Sequence, residues 1–90
     1  MNKSEFVDAI ADKADLAKSD AAKVIDAMVD VIGDQLNNGE QITLVGFGTF
    51  LVSRREARKG RNPQTGKEID IAASNVPRFK PGKALKDAVN

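Results

Sequence analysis

Arg54-Arg55-Glu56-Ala57-Arg58-Lys59-Gly60-Arg61-Asn62-Pro63-Gln64-Thr65-Gly66-Lys67 is the stretch that decides the fold. Five of the eight residues from Arg54 to Arg61 are Arg or Lys, and only Glu56 opposes them. The run stops at Asn62-Pro63, a turn former, and resumes as the alternating Lys67-Glu68-Ile69-Asp70-Ile71. Strand, polar turn and returning strand describe a two-stranded ribbon with a basic shank and a proline at its tip. A ribbon with so few apolar residues has no core of its own to bury. Its charge implies a polyanionic partner.

The arm, taken as residues 54–74, leaves 69 of the 90 residues to build a body. Chains this short bury only about 60% of their unfolded surface and are marginal alone. The sequence has no Cys and no His, which removes disulfides and the usual zinc sites. Oligomerisation is the remaining source of stability.

The formal net charge of +1 conceals a strong asymmetry. Residues 1–44 carry four Lys against nine acids, a net of −5, and residues 45–90 carry ten Lys or Arg against four acids, a net of +6. Such a division points to a nucleic-acid surface in the second half, the acidic half being a solvated surface. No apolar run approaches 18 residues, so no membrane span is expected. The N-terminus lacks the apolar stretch of a secretory signal.

Outward from the arm, Asn2 is placed to cap a first helix, with Glu5 completing a capping box. Phe6, Val7, Ile10, Ala11 and Ala14 form one apolar stripe. A break at Asp15-Leu16-Ala17 precedes a second helix, predicted from about Lys18 to Asn37 and ended by Asn38-Gly39. That helix carries two apolar rows, 24-28-31 and 25-29-32-36, and one narrow stripe would not need both. Two buried faces imply packing against the first helix and against another subunit. Gln41–Leu44 alternates, Val45-Gly46-Phe47 reads as a turn, and a second strand follows to Val52. Val76–Lys80 reads as a third strand broken by Pro81-Gly82, and Lys83–Asn90 as a closing helix.

Enzymatic readings are weak. Without His or Cys most nucleophile–base pairs are gone, and the acids are spaced as helix-surface residues. Gly60 and Gly66-Lys67 have the wrong separation for a phosphate loop, with Glu68 where Ser or Thr would hold magnesium. Gly46-Phe47-Gly48 lacks the third glycine of a dinucleotide fingerprint. No catalytic residue, metal or cofactor is expected.

Nucleic-acid binding fits the geometry. Arm strands of about ten residues at ~3.3 Å each reach roughly 30 Å, close to a DNA helical turn of about 34 Å. Two-stranded ribbons enter grooves, and a stiff ring at the tip is suited to a base step.

Gly46-Phe47-Gly48-Thr49-Phe50, the run Arg58 to Lys67, and Val76-Pro77-Arg78-Phe79 together resemble the bacterial histone-like HU family, which includes integration host factor. The resemblance covers essentially all 90 residues. It implies an α+β fold: an intertwined dimer with a helical base, a three-stranded antiparallel sheet and a protruding β-ribbon arm per subunit. Residues 1–90 would be one domain, with 1–38 the helical dimerisation region and 54–74 the DNA-binding arm. Two such arms would wrap double-stranded DNA through the minor groove, with Pro63 wedging between base pairs. Arg54, Arg55, Arg58, Lys59, Arg61, Asn62, Gln64 and Lys67 would serve the arm. Lys3, Arg78, Lys80, Lys83 and Lys86 would hold phosphates along the saddle and flanks. Val24, Ile25, Met28, Val29, Ile32, Leu44, Phe47, Phe50 and Phe79 would form the dimer core, as a homodimer or with a paralogue.

Two departures stand out. Ala17 occupies the position where a hydroxyl cap is common, and Asp70 puts an acid in the returning arm strand. The implied function is architectural: bending and compacting DNA with little sequence preference, in the cytoplasm with the nucleoid. A sequence-specific bender of the integration host factor type is the alternative. A dimerisation module whose arm binds RNA or acidic protein is the reading from another class. Bent, nicked and junction DNA all stay open as preferred ligands.

Overall fold

The computed structural model describes all of residues 1–90, as two compact units, 1–34 and 35–90. The first unit is helical. Helix α1 spans Lys3–Ala14, and the Asn2 side-chain oxygen accepts from the Glu5 N–H at 2.9 Å, the expected cap. It ends at Asp15, which adopts the left-handed conformation with φ 56°. The Asp15 and Leu16 N–H groups both donate to the Ala11 carbonyl, closing the last turn in the manner usually given to glycine.

Helix α2 spans Lys18–Asn37, as the sequence predicts. The Ala17 carbonyl accepts from Ala21 N–H at 3.0 Å and so opens the helix, but the methyl side chain offers no cap. Val7 and Ala11 of α1 meet Ala21 and Ile25 of α2, each pair four residues apart and therefore on one face. Those four are the only buried hydrophobic residues in the chain, joined at the margin by Ile10 and Ala22. Val24, Met28, Val29 and Val31 of α2 stay exposed, as do Phe6 and Leu16.

In the second unit the α2 terminus closes through Gly39, at φ 78°, whose N–H donates to Leu36. Strand β1, Ile42–Leu44, turns through Val45, Gly46 and Phe47 into β2, Gly48–Arg55. Gly46 sits at φ 84° and Phe47 N–H donates to the Leu44 carbonyl at 2.9 Å, so the third turn position needs glycine. Strands β3, Arg58–Arg61, and β4, Glu68–Ile71, form a separate two-stranded sheet. Strand β5, Ser74–Pro81, returns antiparallel to β2, giving the order β1-β2-β5. Helix α3, Lys83–Ala88, closes the chain.

The sheet differs from expectation at its ends. The β2–β5 ladder continues past Val52 through Arg54↔Asn75 to Arg55↔Ser74, so Arg54 and Arg55 belong to the three-stranded sheet. The arm ladder proper pairs only four residues per strand, not about ten. Pro81 is the last residue of β5, where it still pairs with Gly48, tolerated because β5 is an edge strand, and Gly82 then caps α3. Helix α3 stops at Ala88, and the Asn90 side chain folds back to donate to the Lys86 carbonyl at 2.8 Å.

Candidate nucleic-acid interface

The tip of the arm is built by Asn62. Its N–H donates to the Lys67 carbonyl at 2.8 Å, its carbonyl accepts from Gly66 at 2.8 Å, and its side-chain oxygen accepts from Gln64 N–H at 2.9 Å. The last of these is an Asx turn enclosing Pro63, whose fixed φ suits the position. Gly66, at φ 69°, reverses the chain, and Lys67 N–H donates to the Thr65 hydroxyl at 3.3 Å. Pro63, Gln64 and Lys67 are exposed, while Asn62 is half-buried and shapes the turn that presents them.

Below the tip the register divides the ribbon into two faces. Lys59↔Asp70 and Arg61↔Glu68 lie on one, and Arg58↔Ile71 and Gly60↔Ile69 on the other. The first face sets each cation opposite an acid, and Lys59 Nζ is bonded to Asp70 Oδ1. The second face is apolar except for Arg58. Ile71 lies across Gly60, where a Cβ would come within 2.7 Å of its Cδ1. The alternation Glu68-Ile69-Asp70-Ile71 is the sequence signal of this apolar lining.

The three-stranded sheet also has two faces. Pairing of Phe50 with Phe79 stacks them on one side, where with Phe47 they form a cluster with centroids 4.8–6.5 Å apart. The neighbours in register, Thr49↔Lys80, Leu51↔Arg78 and Arg55↔Ser74, occupy the other side. The sheet therefore brings Arg55, Arg78 and Lys80 to one face, with the Thr43 and Thr49 hydroxyls 3.3 Å apart beside them. Arg54 falls on the aromatic face and pairs with Glu56 at 3.3 Å. Lys83 and Lys86 are one helical turn apart on α3. Lys3 belongs to the helical unit, where it bonds Asp26 at 2.6 Å.

The expected dimer-core residues divide as well. Ile25 is buried inside the protomer's own helical core. Val24, Met28, Val29, Leu44, Phe47 and Phe79 are exposed, and Ile32 and Phe50 are half-buried. No group of three or more His, Cys, Asp or Glu is gathered anywhere in the chain. No helix is long and apolar enough to cross a membrane.

A helical unit, a three-stranded antiparallel sheet and a basic two-stranded arm define an α+β protein of the kind seen in DNA-bound histone-like structures. The chain belongs to the bacterial DNA-binding protein family, whose sequence model matches residues 1–90. It is 61% identical over 89 residues to DNA-binding protein HU 1 of Bacillus subtilis (strain 168), spanning 99% of this chain and 97% of that one. It is 62% identical over 90 residues to DNA-binding protein HRm of Rhizobium meliloti (strain 1021), spanning the whole of both. Among solved structures, the Anabaena HU–DNA cocrystal structure superposes with a TM-score of 0.93 at 44% identity, covering 99% of this chain and 97% of that chain. HU from Thermotoga maritima gives 0.72 at 36% identity over the full length of both.

Proposed function

We propose that this protein is an architectural DNA-binding protein that bends and compacts double-stranded DNA with little sequence preference. The observation that carries the reading is the arm: a half-buried Asn62 holding an exposed Pro63 at the tip of a ribbon flanked by Arg58 and Arg61. No helix presents a row of base-reading side chains, so recognition runs through phosphate and groove shape. The similarity to a histone-like protein solved with DNA supports the same ligand here.

The functional unit is a dimer. Four small or medium buried side chains cannot hold a 90-residue chain, while the exposed Val24, Met28, Val29, Phe47 and Phe79 supply the apolar surface for a second copy. Residues 1–38 serve that association and the arm serves DNA. Arg58, Arg61 and Lys67 contact phosphates from the arm, and Arg55, Arg78, Lys80, Lys83 and Lys86 do so from the body. The protein acts as a binding module rather than an enzyme, and it resides with the cytoplasmic DNA of a bacterial cell.

Gel-shift titration against several unrelated duplexes, with nicked and four-way-junction forms at several salt concentrations, tests the reading. Comparable binding of all intact duplexes is expected. One duplex bound about 10³-fold more tightly than the others would overturn it in favour of sequence-specific recognition.

A further inference from the structure

The arm's charges are not equivalent. Of the six cations between residues 54 and 74, Arg54 is paired with Glu56 and Lys59 with Asp70. Arg55, Arg58, Arg61 and Lys67 are in no ion pair. The Lys59–Asp70 pair joins residues directly opposite in the β3–β4 register, the arrangement in which cross-strand charges reinforce each other. Both side chains remain largely exposed, at 66% and 82%, so the pair has little leverage on stability. Its effect falls elsewhere.

We infer that Asp70 masks Lys59 from the phosphate backbone and thereby sets the electrostatic strength of the arm. The inference rests on the DNA-binding reading and deepens it. Salt-dependent affinity arises because a cation meeting a phosphate releases a counterion condensed on the DNA. Lys59 reaches a phosphate only by leaving Asp70, and the carboxylate then stands uncompensated beside a polyanion. While the pair holds, Lys59 displaces no counterion from the DNA. Lys59 therefore adds nothing net to counterion release, and the salt response of the arm is carried by the unpaired Arg58, Arg61 and Lys67. Asp70 acts as a specificity-determining residue for polyanion strength, without touching the ligand.

The test is a double-mutant cycle on the full-length protein, measuring the slope of log affinity against log salt for one arbitrary duplex. Asp70→Asn, which keeps the shape and removes the charge, is expected to steepen the slope by about 0.9 for each arm engaged. The same change in a Lys59→Gln background is expected to leave the slope where that background sets it. Asp70→Ser repeats the first result if charge alone is responsible, and circular dichroism checks the fold of every variant. Equal steepening with and without Lys59 would overturn the masking, because Asp70 would then act as an independent repelling charge. No steepening in either background, with wild-type protein binding normally, would overturn this inference alone. Failure of the wild type to bind any duplex would overturn the DNA-binding reading, and this inference with it.

Discussion

The ring of Phe79 lies directly over Gly48, so that a Cβ built on this glycine would stand 2.6 Å from the ring's Cζ and 2.5 Å from the Lys80 carbonyl oxygen. Gly48 is buried at the start of β2, and the missing side chain lets the aromatic cluster close against the sheet. Because one of the opposing atoms is backbone, the overlap cannot be relieved by a rotamer change alone. Gly48→Ala should destabilise the protein by about 1–3 kcal/mol, as overpacking does. A lowered urea midpoint with an unchanged m-value would show it.

Much of this fold was legible because its signals are local. The Asn2–Glu5 cap, the span Lys18–Asn37 and the Gly46 turn depend on residues adjacent in sequence. The ends of the arm were not. At Ser53-Arg54-Arg55-Glu56 both faces of the strand are polar, so alternation gives no register, and only pairing with Ser74 and Asn75 shows that the sheet continues. The two rows of α2 were visible, but spacing could not say which row α1 takes. Packing assigns Ile25 to the protomer core and leaves Val24, Met28 and Val29 outside. In the arm, composition exposed the cations, whereas the pairing of Lys59 with Asp70 needed the register.

The exposed α2 row predicts that folding and association are coupled. The melting temperature should rise with protein concentration, since the partner binds only the folded chain. Val29→Asp, placing a charge on that exposed apolar face, should shift sedimentation toward monomer or unfolded chain. A midpoint independent of concentration, with a monomer mass for the wild type, would defeat the dimer.

The connection between α1 and α2 is suboptimal at two positions. Asp15 holds φ 56°, a conformation that favours glycine, and Ala17 leaves the α2 N-terminus without a side-chain cap. Asp15→Gly should stabilise by about 0.5–1 kcal/mol by relieving left-handed strain. Ala17→Ser should add about 0.5–2 kcal/mol through capping. Thermal unfolding of the single variants at one protein concentration measures both.

DNA affinity should depend steeply on salt. If a dimer neutralises about 6–10 phosphates, affinity falls about 10³–10⁵-fold between roughly 50 and 200 mM salt. Arg58 has no acid opposite it in the arm register, and its partner there is Ile71. Arg58→Ala should therefore reduce both the affinity and the log–log slope, equally on every duplex. A loss confined to one sequence would indicate base readout instead.

Pro63 separates wedge from charge. It carries no charge and is exposed at a tip whose hydrogen bonds are made by Asn62, Gln64 and Gly66, so its removal leaves those bonds available. Pro63→Ala should leave the salt slope nearly unchanged, because no phosphate contact is lost. It should nonetheless reduce the bend, since inserting a rigid ring offsets part of an unstacking cost of a few kcal/mol per step. Alanine presents less surface to the bases and leaves the turn less constrained. The deficit should be largest on intact duplex and smallest on nicked or gapped DNA, where a kink already costs little. Fluorescence transfer between the duplex ends measures the angle directly. An unaltered bend on intact DNA would reduce Pro63 to a residue that only shapes the turn.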